Sequence, residues 1–293
     1  MARAKRFHVL VATDGSAPAR AALATALSFP WPAEAGGSAV VAKQVRADYR
    51  RSILLAALDR TSEVNASRAS RAMSKRWADG AAQVVDAEPI DGILKEARRL
   101  GADVIVMGWR GHGAVRRLLT GSVSRGVVRR ASCSVLVVRR PLRDLRRIVV
   151  AYDGSPHAER ALAFLAALTP KRGTRATLFR AVETMAVPTQ GLIPADTRGT
   201  VAAEVRRIND ERRTKARQEL ARAAKTLSAA GWRVDEVVTE GAPLRELLAT
   251  VQKVRADLVV LGAKGVTGLR HLLLGSVAEG ALNRSPAPVL VVR

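Results

Sequence analysis

Two glycine- and serine-containing segments of this chain have the residue types and spacing of phosphate-binding loops. Both follow the pattern G-x-x-G-x9-G-S, with Gly108, Gly111, Gly121 and Ser122 in one segment and Gly262, Gly265, Gly275 and Ser276 in the other. The first glycine follows an apolar stretch, where we expect a sharp turn with positive φ. The second glycine lets the backbone approach a bulky anion. The Gly-Ser pair is predicted to open a helix, whose free amides and dipole attract phosphate.

A second motif, Asp-Gly-Ser, also occurs twice, as Asp14-Gly15-Ser16 and as Asp153-Gly154-Ser155. The two serines are predicted to be helix N-caps, and Pro156 then takes the favoured first helical position. The aspartates have two interpretations. Either Asp14 and Asp153 stabilise the turn before the helix, or they accept hydrogen bonds from a ribose or hold a divalent cation beside phosphates.

Other chemistries have little support in the sequence. There is no G-x-x-x-x-G-K-[ST] motif, and the segment GWRGHG lacks the last glycine of a dinucleotide-binding fingerprint. The four histidines have no zinc-ligand spacing, and the one cysteine, Cys133, is interpreted as a small, partly buried apolar residue. His157 is interpreted as a helix-surface residue. We therefore predict no catalytic residues and no structural metal site.

Composition sets the class of protein. With 293 residues, 48% of them apolar, the chain is long enough for two globular domains. No apolar run is long enough to span a membrane, and the short run after the basic N-terminus reads as a first strand rather than a secretory signal, so we expect a cytoplasmic protein. The formal net charge of +23 attracts polyanions. The arginines are scattered along the whole chain, however, which argues against a specific nucleic-acid site.

The chain is an internal repeat. The segment from Phe7 matches the one from Arg147 with an offset of 139, and the segment from Ala102 matches the one from Ala256 with an offset of 154. The second half therefore has 15 extra residues, which we place in a loop over residues 183–200. The domains are predicted as residues 1–142 and 143–293, with the boundary at the proline-containing segment RRPLRDLR.

Each half alternates short apolar strands with helices, the pattern of a parallel sheet covered on both faces. In the first half we predict strands at 9–13, 39–45, 82–85, 104–107 and 135–138, and helices after Ser16, over 51–77 and 90–100, and from Ser122. In the second half a long helix is predicted over 201–230. In a doubly wound sheet of order 3-2-1-4-5, strands one and four are neighbours, and ligands bind beyond their carboxyl ends. Asp14 and Gly108 should therefore meet in one crevice.

With these motifs, both halves resemble the universal stress protein domain in its ATP-binding branch. The resemblance implies two tandem five-stranded parallel sheets with the adenine-nucleotide alpha-hydrolase-like fold. It also implies ATP, with or without Mg²⁺, at the glycine loops and beside Asp14 and Asp153. Slow or undetectable hydrolysis and a role in stress survival are common in that family. Its last strand often pairs domains, so residues 135–138 and 289–292 are expected to form the interface of the tandem; a homodimer and an unidentified protein partner stay open.

The first half departs from the family pattern inside its glycine loop. Trp109 either fills part of the crevice or stacks beside the ligand, and His112 is interpreted as a polar loop residue. Arg110 and Lys264 are either phosphate contacts or solvated cations. The resemblance places the adenine contact near the second strand, around Ala42 or Thr177.

Three functions remain from the sequence. The first is a nucleotide-binding stress or signalling protein. The second is a weak ATPase with an additional water-positioning group. The third is a basic scaffold that binds nucleic acid or an acidic protein and uses the glycine loops only for its fold.

Overall fold

A computed structural model describes residues 6–43, 53–109, 121–142, 144–186, 197–265 and 274–293. Strands and helices alternate along the chain. The first half contains β1 (His8–Ala12), α1 (Ala17–Ser28), β2 (Gly36–Lys43), α2 (Ile53–Met73), β3 (Ala82–Asp86), α3 (Pro89–Leu100), β4 (Val104–Gly108), α4 (Ser122–Arg130) and β5 (Ser134–Val138).

The second half repeats this order. It contains β6 (Arg147–Ala151), α5 (Pro156–Ala166), β7 (Arg175–Val182), α6 (Arg198–Ala229), β8 (Arg233–Glu240), α7 (Pro243–Lys253), β9 (Leu258–Gly262), α8 (Ser276–Arg284) and β10 (Val289–Val292).

The strands form one ten-stranded sheet in the order β3-β2-β1-β4-β5-β10-β9-β6-β7-β8. Within each half all strand pairs are parallel, and the local order is the predicted 3-2-1-4-5. The predicted fold class is therefore confirmed. β1 lies beside β4 and β6 lies beside β9, so the carboxyl ends of these strand pairs are neighbours in each half, as the switch-point argument requires.

The core lies on both faces of the sheet and is mainly aliphatic. In β1, Val9 and Val11 belong to one apolar layer, whereas Leu10 and Ala12 belong to the other. This alternation follows from the two-residue period of a strand. Strands with both faces buried explain why the sequence shows short, continuous apolar runs rather than alternating polarity.

The two halves are joined by an antiparallel pair, β5 with β10, in which Leu136 lies opposite Leu290. This is the strand pair that the family resemblance implies. Two arginines at equivalent positions of the repeat reinforce it. The Arg139 guanidinium donates to the carbonyls of Leu282 and Asn283, near the end of α8. Arg293 donates to the carbonyls of Val128 and Arg129, near the end of α4. Each half thus caps a helix C-terminus of the other, where cations are favoured.

The 15 extra residues lie between β7 and β8. The repeat offset is 139 at β2 and β7, where Leu10 pairs with Ser38 and Val149 with Thr177. It is 154 at β3 and β8, where Ala39 pairs with Ala82 and Leu178 with Glu236. The predicted loop over 183–200 lies in this interval, although α6 already begins at Arg198 and residues 187–196 are outside the described part.

The long helix of the first half ends earlier than predicted, at Met73 rather than at Trp77. The ring of Trp77 is buried against Gly37 of β2, where a methyl group on that glycine would lie 2.5 Å from it. Turn residues after Met73 bring the ring to this position. None of the helices in the described ranges has the length and apolarity needed to cross a bilayer.

Candidate functional site

In the second half, the Asp-Gly-Ser turn and the glycine loop meet beyond the ends of β6 and β9. Asp153 Oδ1 accepts a hydrogen bond of 3.0 Å from the Ser155 amide, and Ser155 caps α5. Gly154 has φ +77°, which only glycine adopts without strain. A methyl group on Gly265 would lie 2.7 Å from Asp153 Oδ2, so this glycine lies directly against the aspartate carboxylate.

The start and the end of the second glycine loop also lie together. The Gly275 amide donates to the Ala263 carbonyl at 2.8 Å, and a methyl group on Gly275 would lie 3.5 Å from the Gly265 amide nitrogen. Gly275 is the N-cap of α8, and the exposed Ser276 is its first residue. Because a glycine cap has no side chain, none of its atoms covers the first-turn amides that attract anions.

The strand-ending glycines are needed for a reason other than the predicted one. Gly108 and Gly262 do not have positive φ, so that prediction was wrong. A methyl group on Gly108 would lie 2.6 Å from the Pro18 carbonyl carbon, and one on Gly262 would lie 2.6 Å from that of His157. The missing side chain lets the first turn of α1 or α5 approach the end of the neighbouring strand.

The first half places its motif residues in the same way as far as it is described. Asp14 Oδ1 accepts from the Ser16 amide at 3.0 Å. Gly121, the N-cap of α4, donates its amide to the Trp109 carbonyl at 2.8 Å, the counterpart of the bond between Gly275 and Ala263. Ser122 is the exposed first residue of α4. Gly111, Arg110 and His112 lie outside the described residues.

Trp109 has structural contacts that the sequence did not indicate. Its ring packs against the core layer under α3 and α4, and the Arg139 guanidinium lies 4.6 Å from the ring centre, a cation–π contact. The ring thus connects the first glycine loop to the arginine that caps α8 of the other half.

The two residues around which the adenine contact is expected, Ala42 and Thr177, differ in how far they are buried. Ala42 is half-buried near the carboxyl end of β2, and the register makes Ala181 its counterpart in β7. Thr177, by contrast, is buried in the interior of β7 opposite Val149. Lys264 accepts a 3.4 Å hydrogen bond from the Ser155 hydroxyl through its carbonyl, so its backbone ties the glycine loop to the cap of α5.

Sequence reasoning missed a layer of polar side chains beneath the Asp-Gly-Ser turns. In the first half Asn65 of α2 donates to the Asp14 carbonyl at 3.1 Å. In the second half Glu219 of α6 forms an ion pair with Arg180 of β7, and a methyl group on Gly154 would lie 3.2 Å from Glu219 Oε2. The repeat offset of 154 aligns Asn65 with Glu219, a signal that was available in the sequence.

Burial affects the acid–base chemistry of the second half. It raises the pKa of the Tyr152 hydroxyl, which also donates a hydrogen bond to the Glu159 carboxylate. Burial lowers the pKa of His157, and the nearby cations Arg160 and Lys264 lower it further. Among the described residues, no group of three or more His, Cys, Asp or Glu side chains is arranged to hold a metal ion.

Comparison with known proteins agrees with this architecture. Universal stress protein Mb2028c from Mycobacterium bovis is 33% identical over 208 residues, 66% of this chain and 62% of that relative, so the match spans under two thirds of the relative's length. A universal stress protein from Thermus aquaticus is 31% identical over 148 residues, which are 98% of that protein but 50% of this chain. The crystal structure of a universal stress protein from Archaeoglobus fulgidus superposes with a TM-score of 0.68 over 98% of both chains at 21% identity, a likeness of fold.

The family model of the universal stress protein family matches residues 5–139 and again residues 144–293. The two matches leave only residues 1–4 and 140–143 uncovered. The chain therefore belongs to the universal stress protein family.

Proposed function

We propose that this universal stress protein binds ATP, with or without Mg²⁺, in the crevice of each half and acts as a stress-response regulator. Residues 1–142 and 143–293 are then two domains with one site each. The observation that carries the proposal is the convergence of Asp153, Gly262, Gly265 and Gly275 at one end of the sheet in the second half. Two segments that are far apart in sequence meet there, and equivalent segments meet in the first half.

The residues of the second crevice fit a nucleoside triphosphate. The amides at the start of α8 and the exposed Ser276 hydroxyl suit phosphate oxygens, because both are hydrogen-bond donors at the positive end of a helix dipole. Gly265 and Gly275 leave space that a Cβ would occupy. The Asp153 carboxylate, fixed by the Ser155 amide, suits a ribose hydroxyl or a magnesium ion held by the phosphates.

The same reasoning assigns the first crevice to a second nucleotide. Asp14 corresponds to Asp153, and Gly121 and Ser122 correspond to Gly275 and Ser276. Gly108 and Gly111 complete that loop in the repeat. Binding at these positions changes the surface formed by the glycine loops and the first turns of α4 and α8, which is how a nucleotide would alter the contacts of a regulator with its partners.

The test is a calorimetric titration of the full chain with ATP and magnesium at near-physiological salt. Saturable binding at two sites is the expected result. Gly275→Val should abolish the binding component from the second half, because the larger side chain occupies the phosphate site. The domain should stay folded, because among the described residues beyond its chain neighbours a Cβ at Gly275 comes no closer than an ordinary 3.4 Å to any atom.

Gly199→Val is the matched control, since a Cβ there meets no other part of the described chain within 4 Å. Binding of ATP that is unchanged in Gly275→Val would contradict the placement of the site. An unmodified chain that binds no ATP would refute the function, and the glycine loops would then serve the fold alone.

A further inference from the structure

The two crevices differ in what supports the Asp-Gly-Ser turn from below. In the first half the support is neutral: the Asn65 amide donates to the Asp14 carbonyl, and a methyl group on Gly15 would lie 2.3 Å from Asn65 Oδ1. In the second half the residue at the same place is Glu219, and a methyl group on Gly154 would lie 3.2 Å from its Oε2. A carboxylate therefore stands where the first half has an amide.

The charge of Glu219 is matched by a second difference between the halves. Ala12 pairs with Val40 in the first half and Ala151 with Phe179 in the second, so the next residues, Val41 and Arg180, are equivalent. Val41 is buried and apolar. Arg180 forms an ion pair with Glu219, and the two side chains are only 19% and 22% exposed. Two neutral positions in one half are thus a mostly buried ion pair in the other.

Two carboxylates attract Arg180. It contacts Glu219 on α6, and Asp153 attracts it electrostatically from the turn above, opposing the effect of burial on its pKa. The other groups near the pair are the Tyr152 hydroxyl, which is bonded to Glu159, and Lys215, whose Nζ lies 3.9 Å from Glu219 Oε1. A mostly buried guanidinium requires a counter-charge, and removing one partner of such a pair is costly. Without Glu219, the carboxylate of the described residues that is left to attract Arg180 is that of Asp153.

We propose that Glu219 and Arg180 are positioning residues of the second nucleotide site. Glu219 neutralises Arg180 and thereby leaves the Asp153 carboxylate facing Gly265 and the bound nucleotide. Asn65 supports Asp14 in the first half without a charge, because the position of Arg180 is taken there by Val41. This inference rests on the proposed function, since it assumes that Asp153 contacts the nucleotide.

The test compares ATP with inorganic triphosphate in the full chain, again by calorimetry, taking as the second-site signal the component that Gly275→Val removes. Glu219→Asn should weaken the binding of ATP by about tenfold or more, because Arg180 then draws Asp153 away from the ligand. Both ligands are titrated without magnesium, so that a ribose is the group left for Asp153 to contact. Triphosphate has no ribose, so its affinity should change by no more than about twofold. The double variant Arg180→Val/Glu219→Asn recreates the first-half pair and should restore ATP affinity to within about threefold of the unmodified chain.

Glu211→Asn is the matched control: it removes an exposed carboxylate from the same helix, one that pairs with Arg207. It should leave both affinities unchanged. Equal losses of ATP and triphosphate in Glu219→Asn, unchanged ATP binding in that variant, or a double variant no better than the single one would each overturn the positioning role. If the unmodified chain has no component that depends on Gly275, the proposed function itself fails, and this inference fails with it.

Discussion

Replacing Gly265 with alanine should weaken ATP binding in the second half by about thirtyfold or more without unfolding the protein. The new methyl group would lie 2.7 Å from Asp153 Oδ2, about 0.7 Å short of the 3.4 Å at which ordinary contact begins. Among the described residues, the carboxylate is the group that must move, since beyond the chain neighbours the next atom is the Cγ of the same side chain at 3.9 Å.

The magnitude follows from what that movement costs. Turning Asp153 away from its preferred rotamer costs about 0.5–1.5 kcal/mol. A hydrogen bond lost between this carboxylate and the ligand adds about 1.5–3 kcal/mol, and about 1.4 kcal/mol corresponds to one factor of ten in affinity. The backbone is not strained, because Gly265 lacks a positive φ. The loss of unfolded-state entropy on replacing glycine offsets part of the cost, so the melting temperature should change little.

The assay is titration with ATP and magnesium, alongside thermal unfolding of the same samples. Gly199→Ala serves as the control, because its methyl group would lie more than 4 Å from the other residues that the structure describes, its own turn of the helix aside. A Gly265→Ala protein that binds ATP as tightly as the unmodified chain would refute the reasoning, since Asp153 would then move without consequence for the ligand.

Three further predictions concern the site, the junction and pH. Asp153→Ala should weaken the binding of ATP more than that of inorganic phosphate, because only ATP offers a ribose or a phosphate-bound metal; calorimetry with both ligands checks this. Arg139→Ala should lower the free energy of unfolding by about 1.5–3 kcal/mol in urea, because α8 loses hydrogen bonds from a charged group. Burial lowers the pKa of His8 below its usual 6.5, so the unfolded chain binds the proton more readily; stability should fall as pH drops through 6.5, and less so in His8→Gln.

For each of these three predictions, one result would contradict the reasoning. Equal losses for ATP and phosphate in Asp153→Ala would exclude a ribose or metal role. Arg172→Ala, a control at an exposed turn, should be neutral, and an Arg139→Ala protein as stable as this control would show that the cap is dispensable. The same pH dependence in His8→Gln as in the unmodified chain would assign the acid sensitivity to other groups.

The strands and their order could be predicted because their signals are local and repeated. Short runs such as VIVM at 104–107 are apolar on both faces, and only a sheet covered on both sides buries both. The two copies of each motif then fixed which strands are equivalent. The same logic correctly placed Ser155 as an N-cap and Pro156 as the first residue of α5.

The contacts between elements were the part that the sequence did not reveal. Gly108 was expected to need positive φ, but its constraint comes from Pro18 in the first turn of α1, which only the folded structure brings near. Arg180 and Glu219 are separated by a whole connection and meet only once α6 packs on β7. Arg139 looked like one of many scattered arginines, because its partners belong to the other half.

The antiparallel pair of β5 and β10 has a consequence for how two nucleotides would act. Each half is parallel within itself, so reversing direction at the central pair turns the carboxyl ends of the second five strands away from those of the first five. The two crevices therefore open on opposite sides of the molecule, each beyond the carboxyl ends of its own strands. Two bound triphosphates would not repel each other at close range, and one flat partner surface could not cover both. Among the described residues, the halves are joined by the pairing of β5 with β10, by the Arg129–Glu279 ion pair and by the helix-capping arginines. Of these residues, Arg139 also touches Trp109 and thus connects the first glycine loop to α8.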